Sequence, residues 1–487
     1  MDHHVRRHAP TPAMVVVASF IARRSRAELV APAQPTPQDT KLLSDMDDYA
    51  PNRYYYPWAE FFQRRDFAGR AALAPEDPAE AIRAALAKAL VLYYPLAGRL
   101  REAPGGKLVV DCTAEGVVFV EADADVRLQD LGQPLLPPYP CVEELLCDAG
   151  DTRVVVAKPI VFLQVTRFKC GGFAIGFQMV HCIADGAGMI QFIKAVADIA
   201  SGKELPVVLP VWERQLLTAR SPPSIAFFSQ KLDHVIVKCR TNLKKTVAIT
   251  AQLDDDNKNS RSELESQYFI FGPAEISALR SHHCFNDDDD DLGRSCTTFE
   301  LLTAVIWRCR TAALGYDVHA GERSRLAFAA NARRKVAQIP HGYYGNAFML
   351  QVVQADAGKL CSDTLGHTIG LIRAAKSETT EEHLRSAVDY VASLRGAAPS
   401  SLTYDQRTYF VSDVTSLGED KLDLGWAQWI AGGRATPSSQ SSNHRKCKNS
   451  EGEDAVAVSM VLPKPAMDRF RKELAAWLMK DGRPGRR

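Results

Sequence analysis

His181 and Asp185 stand four residues apart in Phe173-Ala-Ile-Gly-Phe-Gln-Met-Val-His-Cys-Ile-Ala-Asp-Gly-Ala-Gly188, the stretch whose residue types best suit chemistry. An imidazole titrates near neutrality and can take a proton from a hydroxyl. A carboxylate four residues on can orient it, help hold a metal, or simply cap a helix. The metal reading lacks a third ligand nearby, and Gly186 and Gly188 argue against one helical face carrying both groups. Cys182 is a poor nucleophile for His181, because strand alternation sends adjacent side chains to opposite faces. His283 and Asp287 repeat the spacing, but in a polar loop beside Asp288 to Asp291 with no apolar strand to position them. The pattern alone therefore decides nothing, and its setting must.

That setting is a strand and a helix. Phe173, Ile175, Phe177 and Met179 alternate along Phe173–Val180, which predicts a strand with one face in a core. Val161 to Cys170 reads as its hairpin partner, with Gly171-Gly172 as a two-residue turn. Met189, Phe192, Ile193, Val196 and Ala200 recur at helical spacing as far as Gly202. His181 is thus expected at a strand end, just before a helix, where a ring can be held rigidly beside a cavity.

With 487 residues the chain is too long for one ordinary core, so two domains are expected. A net charge of +1 gives no attraction to nucleic acid or to an anionic membrane. The 11 cysteines are scattered without a Cys-x-x-Cys pair, which suits reduced thiols in the cytosol. No apolar run approaches the ~20 residues of a membrane helix. Met14 to Ile21 reads as a first strand behind a disordered extension, residues 1–13.

Further elements follow from local signals. Ala31 to Asp48 is expected as an extended loop, leading to Tyr54-Tyr55-Tyr56-Pro57-Trp58. A helix begins at Asp77-Pro78-Ala79-Glu80 and buries Ile82, Leu86, Leu90 and Tyr93. Strands are expected at Lys107–Asp111, Gly116–Glu121, Gln267–Phe271, Arg325–Asn331 and Asn346–Ala355. Helices are expected at Pro273–Ser281 and Thr298–Leu314, as one long region from Leu360 to Arg395, and from Pro465 onward. The prolines of 205–224 mark a linker, so residues 14–208 and 226–487 read as two α/β domains joined by 209–225. Asp254–Ser262 and Asn286–Asp291 read as solvated loops. There is no Gly-x-Ser-x-Gly elbow and no phosphate loop, which disfavours a serine hydrolase or a nucleotide hydrolase.

Taken in order, His181-Cys-Ile-Ala-Asp185-Gly186, the earlier Tyr93-Tyr-Pro-Leu-Ala-Gly-Arg99 and the late Asp423-Leu-Gly-Trp-Ala427 resemble the plant BAHD acyltransferases. Thr297-Thr-Phe-Glu300, Asn331-Ala-Arg333, Gly342-Tyr-Tyr-Gly-Asn346 and Leu462 to Met467 are similar to that family too. Leu29 to Pro37, Thr40 to Asp47, Pro210 to Arg214 and Val411 to Thr415 look closest to its benzyl alcohol benzoyltransferase and taxane acyltransferase subgroup. The likeness runs from about Met14 to the C-terminal helix.

The resemblance implies an α/β fold of two similar chloramphenicol-acetyltransferase-like domains, with mixed sheets flanked by helices and a channel between them. It implies acyl-CoA as co-substrate with no permanently bound cofactor or metal, and a single chain that meets a small-molecule acceptor. His181 would be the general base and Asp185 a structural orienter paired with Arg333. Asp423, Gly425 and Trp426 would be structural, and Thr297 and Thr298 would contact coenzyme A.

The chemistry is consistent with those roles. A thioester already carries a good leaving group, so direct attack by a hydroxyl needs no covalent enzyme intermediate. The reading is an O-acyltransferase, with amine acylation, a weakened acyl-CoA binder and a hydrolase as alternatives. Val414 and Ser416 stand where relatives that grip acidic acceptors tend to carry tryptophan and arginine, which favours a neutral alcohol. Three departures predict a weakened fold or activity. Leu424 replaces a ring, Ala427 replaces a glycine and needs a negative φ, and Ser438–Glu453 is polar where relatives carry an apolar strand.

Overall fold

A computed structural model describes residues 19–65, 75–132, 134–225, 264–284, 296–316, 321–333, 335–395, 408–436 and 441–479. Two mixed sheets form the frame. The first is built from β1 (Ala22–Arg24), β2 (Glu28–Val30), β4 (Tyr55–Arg64), β7 (Val117–Ala124), β8 (Val161–Arg167), β9 (Phe173–Val180) and β14 (Ala427–Arg434). Its order is β1-β7-β8-β9-β4-β14, with β2 also on β7, and only β7–β8 is parallel. The second sheet runs β10 (Leu264–Phe271), β16 (Asp454–Pro463), β15 (Ser441–Lys448), β13 (Thr408–Asp413), β11 (Arg323–Asn331), β12 (Phe348–Asp356). A small sheet joins β3 (Thr40–Leu42), β6 (Leu108–Asp111) and β5 (Arg99–Glu102).

β9 lies at the heart of the first sheet, antiparallel to β8 on one side and β4 on the other. Alternation predicts one buried face, yet all eight of its residues are buried. The reason is visible at Gly176, where an added Cβ would lie 1.8 Å from the Leu145 carbonyl oxygen: a second layer of chain crosses that face at backbone distance. The opposite face is covered by α1 (Pro78–Leu92) and α2 (Gly186–Ala200). α1 starts as its residues predict, with Asp77 accepting from Ala79 N at 2.9 Å and Pro78 in the first turn. Burying such a two-sided apolar strand contributes ~1.5–3 kcal/mol per large side chain.

Several expectations change. The β8–β9 connection spans residues 168–172, closed by bonds between Phe168 and both Gly171 and Gly172, so the turn is longer than two residues. α2 begins at Gly186, three residues before the first apolar position, because Asp185 caps it and the glycines tolerate the close packing there. The loop before Asp48 contains β3. The long helical region is three helices, Ala357–Ser362, Leu365–Ser377 and Glu381–Ser393, restarted by Thr364 and Thr380 as N-caps. The first strand observed is Ala22–Arg24; Met14 to Ala18, residues 1–13, Asp254–Ser262, Asn286–Asp291 and Asp287 lie outside the described residues.

The polar segment is a strand after all. β15 pairs parallel with β13 and antiparallel with β16 in the interior of the second sheet. Its charges are satisfied: Arg445 donates to Glu419 at 2.8 Å with both groups buried, and Lys446 reaches Asp420 at 3.0 Å. Side-chain partners replace apolar packing there, and removing one member of such a buried pair costs ~3–5 kcal/mol. By sequence β14 belongs to the C-terminal half, yet it closes the first sheet on β4.

Candidate active site

β9 ends at Val180, and His181 is held where the strand leaves the sheet. Its N–H donates to Tyr54 O at 2.8 Å and its carbonyl accepts from Asn346 Nδ2 at 2.8 Å. The ring stacks on Tyr54 (centroids 5.5 Å, 28°) and meets the edge of Tyr56 (5.5 Å, 73°). Its Nδ1 is buried without a hydrogen-bond partner. Burial, the largest influence, lowers the His181 pKa below the ordinary histidine value; Asp185 opposes this and Arg434 adds to it. The imidazole is therefore neutral at neutral pH, the form that accepts a proton.

His181 lines a cavity of about 1080 Å³ between the two sheets, with Tyr54, Tyr56, Trp58, Phe348 and Phe410 among its apolar walls. Val414 and Ser416 line it as well.

Asp185 turns to other partners. It accepts from Arg333 Nη1 (2.8 Å) and Nη2 (2.9 Å), from Ala347 N (3.0 Å) and from Gly188 N (3.0 Å). Four donors occupy both oxygens, so the carboxylate is ionised despite burial and carries no proton to the cavity. It caps α2 and ties the N-terminal half to the loop after Arg333. An added Cβ on Gly188 would lie 2.0 Å from Tyr344 O, so the contact needs a glycine.

Three further residues hold the turn. Asp47 accepts from Asn346 N (2.8 Å) and Nδ2 (2.9 Å), and pairs with the buried Arg214 at 3.2 Å. Arg214 Nη2 donates to Ile183 O at 2.9 Å, fixing the chain between His181 and Asp185.

The remaining candidates lie elsewhere. Thr297 spends its hydroxyl on the capping box with Glu300 that starts the helix Thr298–Leu314. Thr298 lines a separate cavity of about 370 Å³ with His444 and Lys446; Asp413 lines both cavities. Asp423 pairs with Arg65 at 2.9 Å and accepts from Gly425 N at 2.8 Å. Trp426 donates to Ala200 O at 3.2 Å and stacks on Phe173 at 5.4 Å. Phe173 opens β9 and His181 follows its end, so this motif sits roughly 25 Å from the imidazole at ~3.3 Å per residue. Leu424 is fully buried in the core with Leu422 and Trp426, and Ala427 is not among the residues with positive φ, so both departures are accommodated.

The polar groups that sequence reasoning did not place are Tyr54, Tyr56, Asp47, Arg214, Asn346 and Arg434. Tyr54 and Tyr56 were detectable as same-face neighbours in an aromatic strand start. Arg434 had no signal, since the charge on the cavity wall that Val414 and Ser416 lack comes from a strand of the other sheet. Val414 and Ser416 thus leave their own stretch of wall uncharged, while Arg434 brings a guanidinium to another part of it.

The profile of the Transferase family matches residues 23–476. The chain belongs to the BAHD acyltransferase family. It is 48% identical to "Acyl transferase 1" of Oryza sativa subsp. japonica over 484 residues, covering 96% of this chain and 98% of that protein. It is 41% identical to the benzyl alcohol O-benzoyltransferase of Nicotiana tabacum, covering 95% of each. It is 44% identical to spermidine hydroxycinnamoyltransferase 1 of Oryza sativa subsp. japonica, over 89% of this chain and 94% of that one. The crystal structure of vinorine synthase matches in fold, with a TM-score of 0.67 at 21% identity, over 94% of this chain and 99% of that one. This BAHD chain is an acyltransferase, and acyl-CoA is the family's co-substrate. Among the described residues no helix is long and apolar enough to cross a membrane, and no group of three or more acidic, histidine or cysteine side chains is placed to hold a metal.

Proposed function

We propose that this BAHD chain makes an ester, moving the acyl group of an aromatic or short-chain acyl-CoA directly to the hydroxyl of a small alcohol. The observation that carries the reading is a neutral imidazole on a cavity wall with its neighbouring carboxylate fully engaged elsewhere. His181 takes the hydroxyl proton as the oxygen attacks the thioester carbonyl, a contribution of typically ~10²–10⁴-fold. The tetrahedral intermediate collapses, the carbon–sulfur bond breaks, and the proton returns to the departing thiolate. Asp185 and Arg333 hold the turn and do not exchange protons with substrate. The reaction runs in the cytosol on a single chain, without nucleic acid or membrane.

Amine acylation is the second reading, favoured by the spermidine hydroxycinnamoyltransferase relative. The same base and cavity would serve it. Release of coenzyme A thiol, followed with alcohols and polyamines side by side, separates the two. Turnover with alcohols and its loss in His181→Ala are expected. Turnover with amines alone would replace the first reading, and substantial turnover by folded His181→Ala would remove the base from both.

A further inference from the structure

We propose that Arg434 receives a carboxylate carried by one of the two substrates and so sets which substrates the cavity prefers. The proposal rests on the acyl transfer described above.

Four arginines line the cavity. Arg333 is engaged by Asp185, and Arg53 by Asp48 at 2.7 Å. Arg153 is exposed, where water hydrates its guanidinium. Arg434 differs from all three. It ends β14, is half-buried, and among the described residues no carboxylate pairs with it. Its Nη1 reaches Ser441 Oγ at a long 3.4 Å, it hydrogen-bonds the neutral Tyr56 side chain with its Cζ 5.0 Å from that ring centre, and its Nε is buried without a hydrogen-bond partner.

Placing a cation in a partly dry wall without a counter-ion is unfavourable, and an arriving anion relieves it. The cavity's own carboxylates are not free to do so. Asp185 is held by Arg333, and Asp413 accepts from Thr415 N (3.0 Å) and Oγ1 (2.6 Å). Among the described residues no carboxylate is left to answer it, so we take the anion to come with a substrate. A guanidinium suits a carboxylate in particular, because its planar fork can donate two parallel bonds.

Position narrows the source. Tyr56 contacts both Arg434, at 5.0 Å, and His181, at 5.5 Å. The anion therefore lies one aromatic ring away from the base. The phosphates of coenzyme A are separated from its thioester by the whole pantetheine arm, so they do not reach this place while the thioester reacts. The carboxylate belongs either to the acyl group or to the acceptor. The neutral alcohol favoured by Val414 and Ser416 is retained in the first case and replaced by a hydroxy acid in the second.

Two matched pairs test this by thiol release. One sets mandelate against methyl mandelate with benzoyl-CoA; the other sets malonyl-CoA against acetyl-CoA with benzyl alcohol. The wild-type enzyme is expected to prefer the charged member of one pair by about tenfold or more in kcat/KM, mainly through KM, and less so at high salt. The pair that responds names the source. In Arg434→Gln that ratio should fall to near one whatever the absolute rate, and Arg434→Lys should retain part of it. Preference for the uncharged member in both pairs overturns the proposal from the wild-type data alone. An Arg434→Gln variant that slows both members of the preferred pair equally also overturns it, leaving Arg434 as a clamp on Tyr56. No thiol release in any combination breaks the underlying acyl-transfer reading and the proposal with it.

Discussion

At its C-terminal end β9 runs out into the wall of a large cavity, and at its N-terminal end it is sealed beneath Trp426. Each end is held by an arginine–carboxylate pair, Arg333 with Asp185 and Arg65 with Asp423. The pairs differ in burial. Asp185 is 8% exposed in its side chain and Asp423 is 50% exposed, so the first pair fixes a geometry in a dry setting while the second only fastens a surface turn. The lesson is that two sequence motifs of equal prominence can divide the work: one end of a strand presents a reactive ring, and the other keeps the strand from moving.

The sharpest way to break this division is to exchange the effects of the two ends. His181→Ala should cost ~10²–10⁴-fold in kcat with an unchanged melting temperature. Trp426→Ala should do the reverse, costing ~3–5 kcal/mol of stability in denaturant titration while kcat per folded molecule changes little. A large kcat loss in folded Trp426→Ala would mean that the far end also shapes the site. Arg333→Ala falls between them. It strands the Asp185 carboxylate in the interior, so a loss of ~3–5 kcal/mol is expected together with about a tenfold fall in kcat as the turn loosens.

The smallest effect concerns pH. Activity needs His181 neutral, and its pKa lies below the usual 6.5, so kcat should hold as pH falls through 6.5 and decline only below it. Removing the nearby cation in Arg434→Gln raises that pKa, and the acid limb should move to higher pH. A limb that stays in place would show that Arg434 does not act on the imidazole.

Elements with strong local signals were legible: β9, α1 with its Asp77 cap, and the helix Thr298–Leu314 appear where periodicity and capping residues put them. So was the likeness that ties Arg333 to Asp185. β15 was not legible as a strand, because Ser442 and Arg445 are polar and their partners Ser459 and Glu419 lie in other elements of the chain. The cavity escaped for a related reason. Its walls come from strand ends and loops of both sheets, and spacing along one segment does not report what a distant segment brings beside it. Arg434 is the clearest instance: only the pairing of β14 on β4 puts it next to Tyr56.

That same pairing has a consequence for biogenesis. The N-terminal sheet waits for residues 427–434, so during synthesis β4 leaves the ribosome with an apolar, unpaired edge and keeps it until about 360 further residues have been made. A truncation before Ala427 would leave that edge permanently open and should aggregate, whereas supplying the missing strand as a separate peptide offers a route to rescue.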